Sequence, residues 1–196
     1  MSAIAWSRGH WTTEPAAVTE DGEDLLITAV EGSDAWRITS YGFVHDSEHA
    51  LLVPFPQDSA MEVEFTAAFS EQFDQAGLFV RASAEHWVKA GVEYADGACQ
   101  LGAVVTDGVS DWSLAPVPAW KDRRIRVRTS RSGDALTVRA GVVSENGAAD
   151  LQLVRVIPLA PECEVEAGPL VCAPSRPGLT VTFHAWRLVE ADASLH

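Results

Sequence analysis

The sequence predicts an all-β protein, folded as a sandwich or barrel. Three observations carry this. Apolar residues recur with period two almost throughout, as they do where side chains alternate between the two faces of a strand. The alternating runs are short, roughly a dozen in number, and separated by Gly, Pro, Asn and Asp turn signals. No window carries the i, i+3, i+4, i+7 spacing of an amphipathic helix, and no repeat of about 20–50 residues points to a propeller or solenoid.

In chain order, Trp6 to Glu20 reads as a lead-in containing Pro15, and Asp21-Gly22 as a turn. Leu25 to Val30 is a strand, broken by Gly32-Ser33-Asp34, after which Trp36 to Thr39 is a short extended piece. Ser40 to His49 reads as a loop, and Leu51-Leu52-Val53 as a strand stopped by Pro54 and Pro56. Met61 to Phe69 sets Met61, Val63, Phe65, Ala67 and Phe69 against Glu62, Glu64, Thr66 and Ala68, the pattern of a half-buried antiparallel strand. Gln75 to Arg81 sets Ala76, Leu78 and Val80 against Gln75, Gly77, Phe79 and Arg81. Strands follow at His86–Ala95, Leu101–Thr106, Asp111–Leu114, Arg123–Thr129, Ala135–Val143, Leu151–Ile157, Val165–Cys172 and Leu179–Val189. Asp96-Gly97, Ser132-Gly133-Asp134 and Asn146-Gly147 supply turns. The last residues, from Ala191, read as a frayed tail.

The 196 residues suit one domain, residues 1–196 with a core at about 5–190, and are enough for a full hydrophobic core. An apolar fraction of 47% and a charged fraction of 21% are globular values. A formal net charge of −14 argues against nucleic acid and against an anionic membrane surface as partners. The start of the chain lacks the pattern of a secretory signal, and no apolar run approaches the roughly 20 residues of a membrane helix. Cys99, Cys163 and Cys172 are an odd count without a close pair, which fits reduced thiols in the cytoplasm; a Cys163–Cys172 bridge is the alternative.

The most informative stretch is His86 to Gly97. Val88, Ala90, Val92 and Tyr94 point toward a core. Trp87, Lys89, Gly91 and Glu93 form a row on the opposite face: an aromatic plate, a cation, a bare backbone position and a carboxylate. Several motifs in order carry a family resemblance: Phe73-Asp74-Gln75-Ala76-Gly77-Leu78-Phe79-Val80-Arg81, Trp87-Val88-Lys89-Ala90-Gly91-Val92-Glu93, Val104-Val105-Thr106 and Ser110-Asp111-Trp112-Ser113. Thr39-Ser40-Tyr41-Gly42-Phe43 and Asp46-Ser47-Glu48-His49 precede them. The chain resembles the domain-of-unknown-function family that includes the regulation-of-enolase proteins, within the concanavalin-A-like lectin/glucanase superfamily. The resemblance spans about residues 5 to 190; the loop Ser144 to Asp150 departs from it. It implies a concanavalin-A-like β-sandwich, a jelly roll of two curved antiparallel sheets, in a cytoplasmic protein with no required cofactor. It implies little about mechanism, because a fold does not carry a function.

Several chemistries compete for these residues. Carbohydrate binding needs aromatic plates for the apolar sugar faces and a few polar partners. Trp87 and Trp112, with Trp120 as a third, are the plates; His49, Gln75, Arg81, Lys89 and Glu93 are the partners. Against this stands the reading of these tryptophans as core or loop anchors. Glycoside hydrolysis needs paired carboxyls about 5–5.5 Å apart in retaining enzymes. Glu62 and Glu64 share a strand face with Cα atoms about 6.5 Å apart, and Glu93 is the other candidate. Glucanases of the resembling superfamily carry a third acid at the next alternate position, where this chain has Thr66. Arg81 paired with Glu93 would be a structural ion pair or a ligand clamp. His45, His49, Asp46 and Glu48 form the one cluster with metal-ligand chemistry, against a loop-fixing role for His49. Arg124, Arg126 and Arg128 form a basic strand face, expected to be balanced by neighbouring acids. No nucleophile elbow or phosphate loop is present. The sequence therefore points to a binding protein for a carbohydrate-like metabolite or a regulatory protein partner, on a concave face. The alternative is a glycoside-acting hydrolase or isomerase using Glu93 or Glu62 and Glu64.

Overall fold

The computed structural model describes residues 2–195. The alternating runs become β1 Ser2–Ala3, β2 His10–Trp11, β3 Ala17–Asp21, β4 Asp24–Thr28, β5 Ala35–Arg37, β6 Val44–Asp46, β7 His49–Pro54, β8 Ser59–Thr66 and β9 Gln75–Arg81. Then come β10 His86–Ala95, β11 Ala98–Asp107, β12 Val109–Pro116, β13 Arg124–Ser132, β14 Ala135–Val142, β15 Gln152–Pro158, β16 Glu166–Cys172 and β17 Thr180–Glu190. One antiparallel sheet has the order β15-β14-β13-β8-β17-β4-β3, with β1 beside β17. The other runs β12-β11-β10-β9-β16-β7-β2, and β5 and β6 form a separate hairpin. This is the two-sheet β-sandwich that the sequence predicts.

Period-two patterning explains why the sheets stack. Val63 and Phe65 of β8, Ile125 and Val127 of β13 and Phe183 of β17 meet Leu78 and Val80 of β9 and Val88, Ala90 and Val92 of β10 in one core. Each large apolar side chain so buried contributes about 1.5–3 kcal/mol. Tyr94, expected to join this set, is only partly buried against it. Asp96 and Gly97 both take positive φ, 53° and 81°, as a tight turn between twisted strands requires, and they join β10 to β11.

Two expectations change. The lead-in contains the short strands β2 and β3; β3 is exposed along its whole length, so a sheet-edge strand leaves no alternation to read. The segment read as a loop, Ser40 to His49, holds β6 and the start of β7. That change shapes the site. β5 and β6 fold over the outer face of the second sheet, where Ala35 and Trp36 pack on Ala50, Leu52, Phe79, Trp87, Val104, Leu170 and Cys172. A second apolar core therefore lies outside the sandwich proper.

Beside it runs a bare strip of backbone. Gly91 stands opposite Gly77 on one side and Gly102 on the other. A Cβ on Gly91 would lie 2.2 Å from the Ala76 carbonyl oxygen and 2.6 Å from the Gly77 Cα. Only glycine fits there.

Candidate functional site

Where the hairpin stops covering the sheet, a cavity of about 250 Å³ remains. Its floor is the outward row of β9, β10 and β11, contributing Gln75, Lys89, Glu93 and Val104. Its walls are aromatic: Trp36, Tyr41, Phe43 and His45 from the hairpin, Phe73 before β9, and Trp112 on β12. The wall rings touch in series. Trp36 meets Trp112 edge-on at 6.1 Å between centroids and Tyr41 at 5.7 Å; Tyr41 stacks on Phe43 at 5.2 Å, and Phe43 meets His45 at 4.6 Å.

Two sets of bonds hold the hairpin in place. At its base Asp34 and Ser47 bridge the two strands, with the Ser47 N–H donating to the Asp34 carbonyl at 3.0 Å. On its outer edge the Arg37 N–H donates to Ser110 Oγ at 2.9 Å and the Arg37 guanidinium to the Gly108 carbonyl at 3.2 Å. At the tip, Ile38 takes φ 64° and Ser40 φ 62°. A β-branched residue in the left-handed region is a strained one.

Lys89 anchors the polar floor. It is 6% exposed, and its ammonium donates to Asp34 Oδ1 at 2.6 Å and to Gln75 Oε1 at 2.9 Å. Burial alone would lower its pKa, but attraction to Asp34, with Cys172 and Glu93 adding to it, outweighs that, so the net direction is upward and the ammonium stays charged. Asp34 Oδ1 also accepts the Ala35 N–H at 2.8 Å. Glu93 has no such support. Its Oε1 is buried and without a hydrogen-bond partner among the described residues. Burial pushes its carboxyl up to about 7; attraction to Lys89 works against this, while Asp34 and Asp96 add repulsion. Near neutral pH this group can donate or accept a proton, and it presents an oxygen with its bonding capacity unused. Beside the floor, opposite Gln75 on β16, Cys172 is fully buried, and burial pushes its thiol well above the usual range.

Of the residues singled out from the sequence, Gln75, Lys89, Glu93 and Trp112 line this cavity. Trp87 does not; it is 6% exposed, packed on Phe79 at 5.5 Å between centroids within the second core. Trp120 is partly buried against the main core. His49 is buried by its neighbours, which lowers its pKa. Its Nε2 accepts the Val30 N–H at 3.0 Å, and its Nδ1 lies 3.0 Å from the Thr13 carbonyl, to which it donates in the matching tautomer. Both ring nitrogens are thus spent on fixing loops. His45 faces the cavity instead, so the two histidines do not share a metal site. Among the described residues no group of three or more His, Cys, Asp or Glu side chains is arranged to hold a metal ion. Arg81 lies at the far end of β9, opposite Trp87 and Glu166, whereas Glu93 stands opposite Gln75. The Arg81–Glu93 pair therefore does not form. Asp34, Trp36, Tyr41, Phe43, His45 and Phe73 join the cavity lining only through the tertiary structure. The one available signal was an aromatic-rich segment, Trp36 to Phe43, punctuated by Ser40 and Gly42, which reads as a hairpin once strand pairing is considered.

The other sheet's outer face carries Glu62 and Glu64, and arginines neutralise both. Glu64 accepts from Arg124 at 2.8 Å, from Arg126 at 2.6 Å and from Arg187 at 2.6 Å, while Arg128 reaches Glu62 at 2.7 Å. Burial would raise the Glu64 carboxyl, but the hydrogen bonds from Arg187 and Arg126 outweigh it and hold it at about 2. A carboxyl held there is no general acid at ordinary pH, and both acids are engaged in ion pairs with arginines. The basic face of β13 is balanced as expected.

The family model described as "Protein of unknown function (DUF1349)" matches residues 11–191. The chain belongs to that family. It is 36% identical over 185 residues to "Regulation of enolase protein 1" of Saccharomyces cerevisiae, covering 93% of this chain and 89% of the relative. A crystal structure of a functionally unknown protein from Saccharomyces cerevisiae superposes with TM-score 0.87 at 33% identity, covering 97% of this chain and 100% of that one. The carbohydrate-binding module CBM66 of Bacillus subtilis superposes with TM-score 0.59 at 13% identity, covering 93% and 96% of the two chains. That last likeness is one of fold alone. Among the described residues no helix is long and apolar enough to cross a membrane.

Proposed function

We propose that this protein is a cytoplasmic binding protein whose ligand, a small carbohydrate-like metabolite, sits in the cavity between β10 and the β5–β6 hairpin. One observation carries the reading: the buried, unpartnered Glu93 Oε1 on the floor of an aromatic-walled cavity. A polar atom kept from water without a partner costs about 1–3 kcal/mol, so such an atom in a cavity is best explained by a ligand that bonds it. The aromatic walls suit the apolar face of a ring, and a volume below the about 300–1,000 Å³ of drug-sized sites suits a single ring. The three free thiols fit a reducing compartment. The yeast relative's name adds regulation of a protein partner to this reading. The hairpin tip offers such a partner Ile38, Tyr41 and Phe43, which are 43%, 58% and 42% exposed. The test is titration with monosaccharides, read by tryptophan fluorescence from Trp36 and Trp112. A saturable shift that disappears in Trp112→Ala supports the reading; no shift with any sugar rejects it.

A second reading has one observation in its favour. A Glu93 carboxyl at about 7, with the Asp34 carboxylate lining the same cavity, is placed to move a proton on a bound sugar. Glu93→Gln then abolishes turnover and spares binding. Turnover that survives the substitution removes Glu93 from the mechanism.

A further inference from the structure

The charges around the cavity do not balance. Lys89 is bonded to Asp34, so these two cancel. Glu93 is left as a carboxyl with no bonded cation among the described residues. The groups facing it are Lys89 on its own strand, Gln75 from β9, Asp34 and His45 from the hairpin side, and Asp96 in the turn beyond. An anionic ligand would meet the Glu93 carboxyl, while the lysine of the floor is already engaged by Asp34. A positive ligand would meet an unused carboxylate and the faces and edges of aromatic rings, which attract cations through their quadrupoles.

We propose that the cavity takes a carbohydrate-like ligand bearing a positively charged ammonium group, with the Glu93 carboxylate as its counter-charge and the Trp36, Tyr41, Phe43 and Trp112 rings around it. This rests on the reading of the cavity as the ligand site, and it narrows the ligand from any small sugar to an amino sugar. It also explains why a carboxyl oxygen can stay buried and unpartnered in the free protein: protonation keeps the group neutral until a cation arrives. Binding of a permanent cation then expels that proton into solvent.

Glucose, glucosamine, N-acetylglucosamine and choline separate the outcomes. Glucosamine should bind at least tenfold more tightly at pH 7 than glucose or its neutral N-acetyl form. Glu93→Gln, which keeps size and shape, should erase that preference. Choline cannot titrate, so calorimetry at pH 7 in buffers of different ionisation enthalpy should show release of about half a proton from the wild-type protein. Equal affinity for glucose and glucosamine, or choline binding without proton release, overturns the cation inference and leaves the sugar reading standing. Choline bound with proton release, but no sugar bound, keeps the cation inference and rejects the sugar. No binding of any of the four overturns both.

Discussion

β8 and β10 are central strands of the two sheets, and each sets carboxylates on its outward face, yet their chemistry differs. Glu64 is 1% exposed, contacts three arginines and titrates at about 2. Glu93 keeps a buried oxygen without a partner and titrates at about 7. Burial pushes both upward. What separates them is the strand next door. β13 and β17 bring Arg124, Arg126 and Arg187 alongside Glu64. β9 brings Gln75 alongside Glu93, while the nearest cation, Lys89, is held by Asp34. One face is a closed ionic network and the other leaves a carboxyl oxygen without a partner among the described residues. A buried acid is thus structural when its neighbours bring counter-charges, and a candidate for function when they do not.

The largest effect that tests this contrast is at Glu64. Glu64→Ala leaves three guanidinium groups around a missing acid, and urea unfolding should show a loss of about 3–5 kcal/mol. A loss under about 1 kcal/mol would mean that Glu62 takes over and the network is not closed. The two tryptophans of the second sheet divide along the same line. Trp87→Ala empties part of the second core and should cost about 3–5 kcal/mol. Trp112→Ala, at a residue 38% exposed, should cost under about 1 kcal/mol while removing ligand binding. If both cost the same, the division between core and cavity wall fails. Gly91→Ala forces a Cβ into the neighbouring backbone and should cost about 1–3 kcal/mol, read from the urea midpoint.

The same contrast shows in pH dependence, where the two acids should have opposite signs. The folded Glu64 carboxyl lies below its unfolded value of 4.5, so its stabilisation is present above that value and is lost as pH falls toward about 2. The folded Glu93 carboxyl lies above 4.5, so the folded state loses stability as pH rises from 4.5 toward about 7, and the loss levels off beyond. Glu93→Gln should therefore melt like the wild type near pH 4 and be more stable above pH 7 by about 1–3 kcal/mol, since a tenfold difference in proton affinity between folded and unfolded chain corresponds to about 1.4 kcal/mol. Thermal melts at pH 4 and pH 8 read this directly. A variant less stable at pH 8 would mean that Glu93 has an internal partner after all.

Much of the fold was legible because period two is a local property. β8, β9 and β10 each announce their buried face by alternation, and Asp96-Gly97 announces the turn between β10 and β11. The candidate site was only half legible. Gln75, Lys89 and Glu93 share an outward face on neighbouring strands, which alternation reveals. Trp87 sits in the same row and belongs to a core, because β5 lies over that end of the strand and not over the other. The sequence allows Arg81 as a partner for Glu93, but the register of β9 against β10 sets Gln75 there. Asp34 and Trp36 were invisible as site residues because they arrive from a segment some 40 to 60 positions away in the chain.

Local spacing alone dictates that the chain forms strands, which face of each strand is apolar, and the row Trp87, Lys89, Gly91, Glu93. Side chains alternate along one strand, and that alternation is written residue by residue. Three outcomes come instead from the packed molecule: Glu62 and Glu64 are neutralised, the hairpin covers half of the row, and Glu93 is left unpartnered beside a Lys89 already engaged. They depend on strand register and on where a distant hairpin lands. Whether a carboxylate is silent or available is set by the groups around it in space, and the deciding ones, Arg124, Arg126 and Arg187 for Glu64 and Asp34 for Lys89 beside Glu93, come from distant parts of the chain.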